Sequence, residues 1–306
     1  MPSVSSIEEA SRVLAAAHAE GSHVRIGDDL TTEGLDRILE HETGDLTCTI
    51  EAGMLLSALN AALGARGQRL SLDPPGDPTI GALLAQNLSG PLRHRFGAPR
   101  ELVLGVTLVL ADGTVASAGG KVVKNVAGYD LARLVCGSRG RLALIARASF
   151  RLHPLPRATR TLVLETDDAA ALVARLLRSQ LEPSALDVLH PGRVAILFEG
   201  SERAVEAQLH AARDLVGGTD GDQAVWGESR NRQAEARGRV HFAPGNLAEE
   251  LSHLSAAIVR PAAGIAYTRD ENPSGSEPQS PETPDAVHSL VRRIERELDP
   301  RGVFAA

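Results

Sequence analysis

The residues able to do chemistry cluster in GGKVVKNVAGYDLARLVCGSRG, residues 119 to 140. Five glycines (Gly119, Gly120, Gly128, Gly137, Gly140) surround a Lys124-Asn125 pair and a Tyr129-Asp130 pair. Glycine weakens regular elements, so such a cluster either brings the backbone close to something or turns corners. Upstream, SLDPPGDPT (Ser71 to Thr79) is a rigid turn, with three prolines fixing φ and one glycine releasing it. Its last residue, Thr79, is placed to cap the helix of TIGALLAQN.

Familiar reaction signatures are missing. No G-x-G-x-x-G opens a helix after a strand, which argues against a nicotinamide site. Gly120-Lys121 is followed by Val122 rather than Ser or Thr, so no phosphate-binding P-loop forms. Ser138 follows Cys136-Gly137, and a nucleophile elbow needs Gly where Cys136 stands. His241 and His253 are twelve residues apart with no patterned third ligand. Cys48 and Cys136 form no metal-type pair, and buried free thiols are the simplest reading.

Among 306 residues, 43% are hydrophobic and 23% charged, a globular balance for two domains or one with a large insertion. A net charge of −7 and only 3% aromatics speak against nucleic-acid binding, which needs basic surface and stacking platforms. The first residues lack the basic start and apolar run of a signal peptide, and Leu102 to Ala111 is too short to span a bilayer, so a cytoplasmic protein with no transmembrane segment is expected.

The elements that must position these groups follow from periodicity. Residues 6–20 form a helix, with Ser5 and Ser6 ahead of Glu8 and Glu9 at capping-box spacing and Gly21 behind. A short strand is expected over His23 to Ile26. A second runs through Leu46, Cys48 and Ile50 with the intervening Thr47, Thr49 and Glu51 on the other face, and Met54 to Arg66 is a helix. Glu101 to Leu110 and Thr114 to Ala118 make a hairpin. Past Pro154 and Pro156 the order becomes βαββα over residues 161–216, a small ferredoxin-like unit. Asp270 to Asp285 has the composition of a linker, and Val287, Leu290, Val291, Ile294 and Leu298 recur at helical spacing.

Taken in order, SLDPPGDPTIGALLAQNLSGPLRHRFGAPRELVLGVTLVLADGTV, GGKVVKNVAGYDLARLVCGSRGRLALI and the closing ELDPRGVF resemble the FAD-binding subunits of glycolate oxidase, within the vanillyl-alcohol oxidase (PCMH-type) flavoprotein superfamily. The resemblance implies an α+β fold: a PCMH-type two-subdomain FAD-binding domain at 1–155 and an inserted ferredoxin-like α+β cap at 156–269. A disordered linker at 270–285 and a C-terminal helix at 286–306, packed back on the FAD domain, would complete it. It implies FAD held without a covalent link. Pro74 and Pro75 would shape the turn, and Thr79, Ile80 and Gly81 would line phosphates and ribityl chain. Asn87, Ser89 and Gly90 would run along the ring, and Gly137, Gly140 and Leu144 would approach the adenine side. A branched side chain at Gly81 is then expected to block the cofactor and spare the fold.

The chain also departs from that pattern. Where the family's first pyrophosphate loop carries several glycines, VRIGDDLTTEGLD has only Gly27 before Asp28 and Asp29, which implies weak cofactor binding through charge repulsion. Relatives acting on 2-hydroxy acids clamp the carboxylate with an Arg; Val123 and Ala127 replace that Arg and its neighbouring Thr, and no His-Gly-Asp-Gly-Asn-x-His stretch is present. The implied role is a non-catalytic or weakly catalytic subunit beside a catalytic flavin subunit and an iron–sulfur subunit. A flavin-free scaffold and a stand-alone FAD oxidoreductase are the rivals.

Overall fold

In a computed structural model, residues 3–120, 130–269 and 285–304 are described, with the side chains of the last helix from Ser289 onward. Lys124, Asn125, Gly128 and Tyr129, the substituted positions Val123 and Ala127, and residues 270–284 of the expected linker lie outside the described residues.

The Ser6 hydroxyl accepts from the Glu9 amide to start α1 (Ile7–Glu20), and Gly21 ends it at φ 68°. The Glu9 carboxylate reaches back one residue further than a strict capping box, to the Ser5 amide at 2.8 Å. Then follow β1 (Ile38–Glu42), β2 (Thr47–Glu51), α2 (Leu56–Gly64), β3 (Gln68–Arg69) and α3 (Ile80–Ala85). Next come α4 (Arg93–Phe96), α5 (Pro99–Leu102), β4 (Val103–Val109), β5 (Val115–Gly119), α6 (Leu131–Val135), β6 (Leu144–Arg151) and β7 (His153–Pro154). The first, five-stranded sheet is antiparallel in the order β1-β2-β6-β4-β5, while β3 and β7 pair separately.

Three local expectations are corrected. Residues 23–26 make only isolated bridges, Val24 to Phe304 and Ile26 to Leu30, because the chain turns back at once onto Arg25. The strand expected from Glu101 begins at Val103, since Pro99 opens a helical turn whose Glu101 carboxylate takes the Ala98 amide. On β2, Thr47 and Glu51 are buried along with Cys48 and Ile50; Glu51 stays charged beneath Arg37 and Arg147 at 2.9 and 3.7 Å.

The second sheet comprises β8 (Ala158–Glu165), β9 (Ala185–His190), β10 (Arg193–Gly200), β11 (Thr219–Asp220), β12 (Gly238–His241), β13 (Ala257–Arg260) and β14 (Ile265–Thr268). Between them run α7 (Ala169–Leu177), α8 (Glu202–Val216), α9 (Ala224–Ala234) and α10 (Leu247–His253). Strand order is β11-β8-β10-β9-β13-β14-β12, all antiparallel. Its first four members have the ferredoxin-like arrangement, and the β9 edge is extended by three four-residue strands too short to show a period in the sequence. Val173, Leu176, Val205 and Leu209 of α7 and α8 cover one face. The other face, with Leu92 and Trp226, meets the first module through α4 and α9.

Last comes α11 (Asp285–Leu298), on which Leu290 and Val291 are exposed. The segment after it carries the packing: Asp299 accepts the amides of Val303 and Phe304, each at 2.8 Å, and both apolar residues enter the core formed with Leu14, Val24 and Leu144. Cys48 and Cys136 are buried free thiols, and burial pushes both up to about 12, so neither is a nucleophile at neutral pH.

Candidate functional site

The proline turn delivers Thr79 in an extended conformation, and its hydroxyl accepts from the Ala82 amide at 3.3 Å. A helix start normally offers free N–H groups to an anion. Here they are consumed: Ile80 donates to Met54 O at 2.9 Å, Gly81 to Ala52 O at 2.7 Å and Leu83 to Thr79 O at 2.8 Å. The start of α3 is therefore docked on the β2–α2 connection, and phosphate would have to be held elsewhere.

A cavity of about 630 Å³ opens beside it, within the usual size range of small-molecule sites. One wall is the loop Ile26 to Glu33, a second is α3 from Thr79 to Gln86, and a third is Arg139, Gly140, Ala143 and Ile145. Arg239 of β12 reaches it from the second sheet. The third wall is fixed to the second by backbone bonds from Gly137 to Leu84 O and from Arg139 to Ala85 O.

The first loop differs from its expected electrostatics. Asp29 folds onto Arg25 through contacts of 3.0 and 2.9 Å, which hold its carboxyl below the usual range, and Asp28 lies 3.8 Å from the same guanidinium. Neither aspartate lines the cavity; among the described residues the carboxylate that does is Glu33. Asp28 and Asp29 thus shape the turn instead of opposing a ligand.

The walls fit an elongated anion with polar decoration. The buried Thr31 hydroxyl has no hydrogen-bond partner among the described residues, and such a group is normally satisfied. The amides of Thr32, Glu33 and Gly140 likewise make no hydrogen bond among the described residues. Arg139 and Arg239 add positive charge. Gly140 has φ +79°, and an added Cβ would lie 3.0 Å from Ile26 Cβ.

Of the eleven positions singled out from the sequence, this cavity gathers Thr79, Gly81 and Gly140. Ile80 and Leu144 are fully buried in two different apolar cores. Pro74 and Pro75 lie within the turn, and Asn87, at φ 50°, accepts from the Arg100 amide. Gly137 is exposed, with only Asn87 Cβ, at 3.8 Å, near its missing side chain. For Gly81, an added Cβ would stand 3.2 Å from Ala52 O and 3.3 Å from Ala52 Cβ. A branched residue there would strike the protein itself, so the expectation of a spared fold is withdrawn.

Ser89 and Gly90 belong to a buried polar junction between the two modules. The Ser89 carbonyl accepts from Gln233 at 3.0 Å and Arg260 at 3.4 Å. A Cβ on Gly90 would fall 1.7 Å from Asp73 O. Asp73 faces Arg230 at 3.6 Å, and burial pushes its carboxyl up to about 7. Fully buried Asp187 accepts the Ser229 hydroxyl and lies 3.6 Å from Arg260; burial raises it too, against the pull of Arg260.

Thr31, Thr32, Glu33, Arg139 and Arg239 were not singled out from the sequence. The Thr-Thr pair was legible as the end of the quoted loop; Arg239, some two hundred residues away, gave no local signal.

Comparison with known proteins agrees with this architecture. Residues 29–119 match the family described as FAD binding domain. The chain is 34% identical over 218 residues to glycolate oxidase subunit GlcE of Escherichia coli K12, covering 68% of this chain and 61% of that protein. It is 33% identical to glycolate oxidase subunit GlcD of Bacillus subtilis, across 51% of this chain and 34% of that one. It is 30% identical to a D-lactate dehydrogenase of Archaeoglobus fulgidus, over 79% and 59% respectively. The chain therefore spans between a third and three fifths of these relatives. An alkyldihydroxyacetonephosphate synthase structure superposes with a TM-score of 0.74 at 16% identity, over 99% of this chain and 76% of that one.

The chain is thus an α+β protein of the PCMH-type FAD-binding fold. More particularly, its residues 29–119 match an FAD binding domain, and the chain is similar to glycolate oxidase subunits and D-lactate dehydrogenases. Among the described residues no helix is long and apolar enough to cross a membrane.

Proposed function

We propose that this chain is an FAD-binding, non-catalytic or weakly catalytic subunit of a multi-subunit glycolate (2-hydroxy-acid) oxidase, working in the cytoplasm beside a catalytic flavin subunit and an iron–sulfur subunit. Residues 1–155, with the tail after 286, serve as the FAD module and 156–269 as its cap. What carries this is the cavity between the 26–33 loop and Gly140, polar on two walls and built largely within or beside the matched FAD binding domain. The similarity to GlcE supplies the glycolate oxidase context. Val123 and Ala127, in place of a carboxylate clamp, support a role other than turnover.

In this assignment the Thr31 hydroxyl, the Thr32 and Gly140 amides and the two guanidiniums of Arg139 and Arg239 hold the pyrophosphate. Glu33 opposes it and keeps the affinity low. FAD, when bound, supplies a two-electron acceptor. With the amides of α3 already engaged, the chain orients its cofactor chiefly through the first and third walls.

Purification in FAD, followed by absorbance before and after denaturation, tests this. Flavin released into solution on denaturation, with no dye-linked oxidation of glycolate or lactate by the chain alone, is the expected result. A colourless protein would favour a flavin-free scaffold, and robust turnover a stand-alone oxidoreductase.

A further inference from the structure

A second cleft, of about 590 Å³, lies where β3 and β7 meet the β10 end of the second sheet. It shares no lining residue with the cavity described above. Among the described residues its charges are Arg69, Arg95, Arg151 and Arg157 against a single carboxylate, Glu199. Arg69 and Glu199 neutralise each other through two contacts of 2.9 and 2.6 Å, both side chains largely buried. Arg95 lies over the Phe96 ring at 5.9 Å, and among the described residues its one carboxylate neighbour is the exposed Glu182 at 4.0 Å. Among the described residues, no carboxylate stands within ion-pair distance of Arg151 or Arg157. Three arginines thus line one cleft with almost no counter-charge among the described residues, in a chain whose net charge is −7.

The polar atoms around them are unsatisfied as well. Ser184 is fully buried and its hydroxyl has no partner; His153 Nδ1 and Arg69 Nε are also buried without one. Three of the ten such orphaned side-chain atoms among the described residues therefore line one cleft. Buried polar groups ordinarily find partners, so their concentration marks a place where a ligand supplies them. The His153 ring packs on Phe96 at 4.6 Å and is pushed down to about 4, by burial first and then by Arg151, Arg69 and Arg95. It is neutral at pH 7, and one of its ring nitrogens can donate to an oxyanion.

We propose that this cleft is a binding site for a small anion with two or more negatively charged oxygens, a phosphate ester or a dicarboxylate, held by Arg95, Arg151 and Arg157 with Ser184 and His153 completing its hydrogen bonds. Guanidinium forks suit both chemistries because each presents paired oxygens. The site joins the first module to the second, so occupancy would brace their junction.

Thermal unfolding of the full chain, at constant ionic strength, tests it with inorganic phosphate, malonate and chloride as probes. Phosphate or malonate, at about 10 mM, should raise Tm by about 2 °C or more over chloride. Response to phosphate alone identifies the phosphate-ester class, and response to malonate alone the dicarboxylate class. The double variant Arg151→Gln/Arg157→Gln, altered at two exposed positions, should keep its starting Tm and its flavin content and lose the shift. An equal shift in that variant, or no shift in the parent, overturns the proposal. Arg151→Gln alone, with an intermediate shift, guards against a folding defect in the double variant. None of these outcomes depends on whether the other cavity takes FAD.

Discussion

Gly90 and Gly140 fall in the same resemblance-derived set, yet the molecule uses them in opposite ways. At Gly90 the missing side chain lets two stretches of backbone close on each other, with Asp73 O where a Cβ would be. At Gly140 it leaves room: the residue sits at φ +79°, lines the cavity and has an uncommitted amide. One glycine lets two segments of the first module close beneath the junction, and the other keeps a space between walls. Gly81 stands between these cases, bordering the cavity while its amide and its missing side chain both face Ala52. A glycine-rich signature therefore mixes residues that seal a structure with residues that open it.

The difference is sharpest under substitution. Gly90→Ala would put a methyl inside a backbone carbonyl's radius, and we expect a loss of about 3 kcal/mol or more in urea unfolding, with flavin per folded chain unchanged. A loss under about 1 kcal/mol would mean the junction yields easily. Arg260→Leu, which leaves Asp187 facing no cation nearer than Arg230, should cost about 3 kcal/mol, and adding Asp187→Asn should recover part of it.

Asp73 gives the junction a pH signature. Its carboxyl titrates at about 7 in the folded chain, above its ordinary 3.8, so the folded state binds the extra proton between those values. The resulting stability is complete below about 4 and is lost as pH rises through 7, by about 1 kcal/mol per unit between pH 5 and 7. Asp73→Asn should flatten that slope in urea melts at a series of pH values; an unchanged slope would assign it to other groups. Smallest is the change at the cavity: Gly140→Ala should cost about 1 kcal/mol through its positive φ and lower the flavin content as Ile26 shifts into the cavity. Unaltered flavin content would remove Gly140 from the binding wall.

Local signals in the sequence located most of the elements. Ser6 and Thr79 cap the helices expected of them, because a cap and its amide lie three residues apart. The β8–α8 order is visible for the same reason: each element is long enough to show its period. The extension β13-β14-β12 is not, with four residues per strand and partners supplied by register across the sheet. The site was harder still. Gly81 and Gly140 are named by the resemblance, but whether an amide is free depends on Met54, Ala52 or Leu84 approaching from elsewhere. The Asp28-Asp29 pair misled for a physical reason: a charge's effect depends on its nearest partner, and Arg25 at i−4 takes Asp29 away from the cavity.

The tail that follows α11 has a consequence for how the protein comes into being. Val303 and Phe304 complete a core begun by Val4, Ile7 and Leu14, with the whole second sheet intervening along the chain. Contacts so far apart in sequence close last and slow assembly. During synthesis the amino-terminal layer must wait, one side uncovered, until residue 304 has left the ribosome. The inserted sheet can fold in that interval, so Asp299, Val303 and Phe304 act as a latch that shuts only after the insertion is finished.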